Sequence, residues 1–123
     1  MTLLVPVSLG ELIDKITILE IKTEKITKLE ALRNIEKELE ALRRVSRPEI
    51  ELHLVKELKQ VNEDIWNFED EIRICERDQD FGEMFVGVTR SVHLLNEKRA
   101  TIKRNINNRY NSEIKEEKSY GYK

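Results

Sequence analysis

Apolar residues recur every third or fourth position in three stretches of the chain. Leu54, Leu58, Val61, Ile65, Phe68, Ile72 and Cys75 are spaced 4, 3, 4, 3, 4, 3. Phe85, Val88, Val92, Leu95, Arg99, Ile102 and Ile106 are spaced 3, 4, 3, 4, 3, 4. Both are heptad seams, the pattern of coiled-coil-like helices, and Arg99 alone interrupts the second. An earlier stretch carries Leu12, Ile16, Leu19, Thr23 and Ile26, then Leu29, Leu32, Ile35, Leu39 and Leu42. It either runs unbroken to about Arg44 or breaks near Thr27, where Thr27-Lys28-Leu29-Glu30 offers a fresh helix start. Ile13, Ile18 and Ile21 lie off its main stripe. A helix apolar over more than one face is covered on both sides, by its own bundle or by a second copy of the chain.

The helix starts are written in capping chemistry. Ser8-Leu9-Gly10-Glu11 is a capping box, in which the Ser8 hydroxyl accepts from the Glu11 N–H and the Glu11 carboxylate reaches back. Ser46-Arg47-Pro48-Glu49 repeats it, with Pro48 in the first turn, where its missing N–H costs nothing. Asp80-Phe81-Gly82-Glu83 is a third. These signals predict helices over about 9–44, 49–78 and 82–110. The connection from Asp78 to Gly82 is short, so the last two helices are antiparallel neighbours. Contacting residues then have numbers summing to about 160, which sets Leu58 near Ile102 and Ile65 near Leu95. The predicted fold is all-α: a single domain over 1–123, an elongated antiparallel bundle of three long helices, or of four if the first breaks near Thr27. Pro6 disfavours helix at Val5, so the N-terminal segment is extended. Residues 111–123, with Tyr120 and Tyr122, carry no helical stripe and form an extended or mobile tail.

Composition agrees with long helices: 37% of residues are charged, and there are only four glycines and two prolines to break them. A net charge of −2 gives no general attraction to nucleic acid or membranes. Its distribution says more. Residues 49–80 hold four basic and eleven acidic side chains, and residues 81–123 nine basic and five acidic. Such a contrast predicts that the acidic helix lies beside the basic one through surface ion pairs, which select a partner more than they stabilise it. The single cysteine, Cys75, excludes an internal disulfide and fits a reducing compartment. No apolar run approaches the roughly 20 residues of a membrane span, and the N-terminus lacks a signal peptide's basic start. The expected location is the cytoplasm.

The run Ser8-Leu9-Gly10-Glu11-Leu12-Ile13-Asp14-Lys15-Ile16-Thr17-Ile18-Leu19-Glu20-Ile21-Lys22 resembles the opening of a family of short bacterial and phage proteins known only as a domain of unknown function. The closing Glu116-Glu117-Lys118-Ser119-Tyr120 resembles its ending. The middle, with Asn62, Trp66, Glu69-Asp70 and Arg99, is similar as well. The resemblance implies a self-contained helical domain and carries over no functional residue.

Arg99 is the most informative single position. A guanidinium on a helix seam must be paired or reach solvent. By the pairing rule it faces Val61 to Glu63, and Glu30 too if the first helix is continuous. It is either a polar layer that fixes helix register or an anion-binding residue, with Lys103 one turn on and Asn96 one turn back. Asn62, in the stretch facing Arg99, and Trp66, just off the seam, complete the candidate binding set. Trp66 either closes the first helix onto the hairpin or anchors an interface. The acidic residues Glu69, Asp70, Glu71 and Glu76, with Glu11 and Asp14, read as i, i+4 ion pairs rather than a metal site. His53 and His93 have no partner at ligand spacing. Nothing calls for a cofactor. The sequence thus favours a non-enzymatic helical module associating with itself or another protein, the alternative being a small enzyme or ligand-binding protein with an anion site at Arg99, Lys103 and Asn96.

Overall fold

A computed structural model describes residues 1–119, so Tyr120 and Tyr122 lie outside the described residues. The described chain holds four helices and no strand: α1 (Leu9–Lys25), α2 (Leu29–Arg43), α3 (Leu52–Arg77) and α4 (Glu83–Arg109). None is long and apolar enough to cross a membrane.

The first predicted helix is two. Ile26 takes an extended conformation after Lys25, and α2 starts afresh behind Lys28, with no side chain capping it. The break lets the chain fold back, so that Leu12, Ile16 and Leu19 pack on Ile35 and Leu39. Burying each of these is worth about 1.5–3 kcal/mol. The other face of α1 meets the hairpin: Ile13 joins Leu58, Val61, Ile102 and Ile106 in a second cluster. The off-stripe apolar residues of α1 are thereby explained, since the helix lies between α2 on one side and α3 and α4 on the other. α2 lies against α1 and against neither helix of the hairpin.

None of the three capping boxes forms in full. Ser46 caps nothing, because α3 begins at Leu52 behind Glu51 and not at 49. The segment before it stays extended so that Ile50 can be buried in the core and the Glu51 N–H can donate to the Tyr110 hydroxyl at 2.8 Å. Asp80 accepts from the Gly82 N–H at 3.1 Å, closing the turn, and Gly82 rather than Asp80 is the residue before α4. Gln79 adopts a left-handed φ of 54° in this turn. The Ser8 cap is real: its hydroxyl accepts from the Glu11 N–H at 3.0 Å. The Glu11 carboxylate does not reach back, because it is held by Lys103.

The antiparallel hairpin has the expected register, with Leu58 and Ile102 in one cluster and Ile65 and Leu95 packed against it. Charge joins the acidic and basic stretches at Arg109, which pairs with Glu51 at the cap of α3. Three other basic residues of α4 reach elsewhere: Arg99 and Lys103 to α1, and Arg104 to Glu117 of the tail. The ion pairs and hydrogen bonds linking α1 to the hairpin fall on residues 59–63 of α3 and 99–107 of α4. Beyond them the hairpin continues as a two-helix arm. Between residues 66 and 94 only Cys75 and Val88 are buried apolar side chains, while Ile74, Phe81, Met84, Val86 and Leu94 are exposed.

Candidate functional site

The most elaborate chemistry lies where α1 crosses α4. The crossing is close at Gly10, where an added Cβ would sit 2.6 Å from the Lys103 carbonyl oxygen. Backbones can approach this way only without a side chain between them. The first N–H groups of α1, which no helix can satisfy internally, all find partners. Leu9 donates to the Ser112 hydroxyl at 3.0 Å, Gly10 to Asn107 Oδ1 at 2.7 Å, and Glu11 to Ser8. Ser8 in turn donates to Glu116 Oε1 at 2.7 Å, and the Asn107 amide reaches the same oxygen at 3.3 Å. The described part of the tail, residues 111–119, is therefore extended, as its sequence suggests, and is tied down through Ser112, Glu116 and Glu117. Burial pushes the Glu116 carboxyl up, but the Ser8 hydroxyl, its own backbone N–H, the Lys103 charge and Asn107 together hold it below the ordinary value.

One turn further along α1, Asp14 is 1% exposed and forms the centre of a polar layer. Arg99 Nε donates to Asp14 Oδ1 at 2.9 Å, and a terminal guanidinium nitrogen donates to Oδ2. This two-pronged arrangement matches the geometry of guanidinium to that of carboxylate. Asn62 Nδ2 donates to Asp14 Oδ1 at 2.8 Å and to Thr17 Oγ1 at 2.9 Å, while the Thr17 hydroxyl donates to the Asp14 carbonyl at 2.8 Å. Lys103 Nζ stands 3.7 Å from Oδ2. Burial alone would raise the Asp14 carboxyl. The Arg99 and Asn62 hydrogen bonds and the charges of Arg99 and Lys103 outweigh it and hold the group below its ordinary value of 3.8.

All five candidate binding residues fall around this layer. Asn62 is inside it. Arg99 and Lys103 edge a cleft of about 220 Å³ with Asn96, Ala100 and Lys118 of the tail. Arg99 also borders a second cleft, of about 150 Å³, with Trp66, Ile18 and Ile65. Trp66 is half-buried and shares that cleft with Ile18 of α1. Glu30, suggested as a partner of Arg99, is exposed on α2 and takes no part. Asp14, which accepts from Arg99 in this layer, is one acid among many in the sequence. Its signal was the stripe Gly10, Asp14, Thr17, small or polar at 4 and 3 spacing on a helix otherwise rich in Leu and Ile. Buried polar groups on such a stripe demand partners, and Arg99 and Asn62 are those the facing helices provide.

A family model described as a family of unknown function (DUF6165) matches residues 3–123. No curated protein and no solved structure matches the chain.

Proposed function

The chain belongs to the DUF6165 family of unknown function, so its role is read from its own geometry, and we propose that it is a non-enzymatic helical module that acts by association, as a homodimer. The observation that carries this is the two-helix arm, which has no third helix against it and leaves Ile74, Met84, Val86 and Leu94 in solvent. A two-helix arm covers each helix on one side only, and the apolar side chains it leaves exposed are available to an associating chain. The polar layer fits a structural part in the same reading. Asp14 neutralises Arg99 in a fork, and the layer fixes how α1 crosses the hairpin, much as a buried polar residue fixes coiled-coil register. The free, buried thiol of Cys75 suits work in the cytoplasm. Sedimentation equilibrium of the full chain at micromolar concentrations tests the proposal. A dimer supports it, and a 14.6 kDa monomer throughout overturns it.

A second reading is favoured by one observation, the cleft that gathers Asn96, Arg99, Lys103 and Lys118. In that reading the cleft takes a small anion such as a phosphate ester or a dicarboxylate. A thermal-shift titration with inorganic phosphate and succinate tests it. A saturable rise in melting temperature that Asn96→Ala and Lys118→Ala both weaken supports an anion site, and no rise overturns it.

A further inference from the structure

Resting on the association reading, we propose that the arm docks through α4 onto α4 of a second copy, the two helices running antiparallel about a twofold axis near residue 89. Met84, Gly87, Ser91 and Leu94 are spaced 3, 4, 3 along α4 and form a stripe of their own. Leu94 and Lys103 are nine residues apart, about half a turn around the helix, so this stripe faces away from α1. Met84 and Leu94 are 61% and 60% exposed. A Cβ at Gly87 would meet nothing within 4 Å, so that side of the helix is open to an approaching chain.

The occupant is a second copy because the stripe is complementary to itself when reversed. In the antiparallel register Met84 meets Leu94 of the partner subunit and Gly87 meets Ser91 of the partner subunit. In the same register Lys98, one turn beyond Leu94, points to the turn that precedes α4 of the partner subunit, the turn that carries Asp80. Lys98 has no ion pair within the described chain, and the Asp80 carboxylate holds only the Gly82 N–H. Lys98 and Asp80 thus bring an unpaired charge of each sign to opposite ends of the contact. The parallel alternative sets Lys98 against Lys98 and Asp80 against Asp80, which like-charge repulsion disfavours. Contact through α4 also keeps apart the acidic runs of the two α3 helices, which hold Glu69, Asp70 and Glu71. A twofold contact of this sort is isologous: the same patch serves both chains and closes after two.

Sedimentation equilibrium of the full chain and its variants tests the contact, with helicity by circular dichroism as the fold control. Gly87→Arg is expected to keep its helicity, since its side chain enters open space, and to weaken the dimer more than about tenfold. Lys98→Glu and Asp80→Lys are each expected to weaken it several-fold, and the double variant to restore it, as a coupled pair should. A dimer unmoved by folded Gly87→Arg overturns the α4 face while leaving association intact. Failure of the double variant to recover overturns the antiparallel register. A wild-type chain that stays monomeric overturns both the contact and the association reading beneath it.

Discussion

The face of α1 that meets α2 is dry, and the face that meets α4 is wet. Leu12, Ile16 and Leu19 lock onto Ile35 and Leu39 in an apolar cluster, and the ion pair from Arg43 to Glu20 is the polar link between these two helices. Three residues away around the same helix, Gly10, Asp14 and Thr17 meet Asn107, Arg99 and Asn62 through hydrogen bonds and charge. Apolar contact is non-directional, so the α2 face supplies adhesion and tolerates small changes of angle. The α4 face is directional: each bond has one partner at one distance, so it sets where α1 lies rather than whether it binds. The dry face should therefore fail by graded loss of stability, and the wet face by abrupt loss when one member of a pair is removed.

The largest effect is expected at the wet face. Asp14→Ala removes the buried carboxylate on which Arg99, Asn62 and Lys103 converge and should destabilise the fold by about 3–5 kcal/mol in urea unfolding. Replacing both partners, Asp14→Leu with Arg99→Met, should recover most of that loss, since apolar groups of similar size need no partner. Equal damage from the single and the double change would show that the layer does more than satisfy itself. The pH dependence follows from the same carboxylate. Its value is lower folded than unfolded, so its contribution is complete well above pH 4 and is lost as pH falls through the folded value. Asp14→Asn should flatten that acid limb in chemical denaturation followed from neutral pH downwards.

The dry face comes next. Leu19→Ala should cost about 2–4 kcal/mol with an unchanged urea slope, and Leu12→Ala a similar amount, because each leaves a cavity in a packed cluster. Gly10→Ala should cost about 1–3 kcal/mol, as its methyl group must push the Lys103 backbone aside. Gly87→Ala, in open space on the same α4, should instead raise monomer stability by about 0.5–1 kcal/mol. Opposite signs from one substitution at two helical glycines would separate close crossing from mere helix propensity. The smallest effect is expected at Glu116→Gln, below about 1 kcal/mol, since its carboxylate is largely open to solvent and keeps one acceptor.

Much of this fold is written locally. The seams of α3 and α4 and the short turn between them give the hairpin and its register, because heptad spacing needs no knowledge of the rest of the chain. The Ser8 cap is equally local. What was hidden depends on distant partners. Ser46-Arg47-Pro48-Glu49 has good capping chemistry, yet burial of Ile50 and the bond from Glu51 to Tyr110 keep that stretch extended. The charge contrast between α3 and α4 suggested mutual pairing, but α1 and the tail offer the basic residues closer acids. Arg99 declared that it needed a partner. Which acid answered depended on the angle at which α1 crosses α4, and that angle rests on one missing side chain at Gly10.

The clasp between Ser8 and Glu116 joins groups 108 residues apart. As the chain leaves the ribosome, the residues that complete the cap of α1 emerge about a hundred residues after the helix itself begins. Until then the N–H groups of Leu9 and Gly10 have only water, and Ser8 has no acid to hold. At about 5–20 residues per second the nascent first helix waits several seconds for its closing bonds. Its apolar stripe can be shielded meanwhile by α2, which follows at once in the sequence. The order of synthesis therefore separates an α1–α2 hairpin that can form early from a ring closure that waits for Asn107, Ser112 and Glu116.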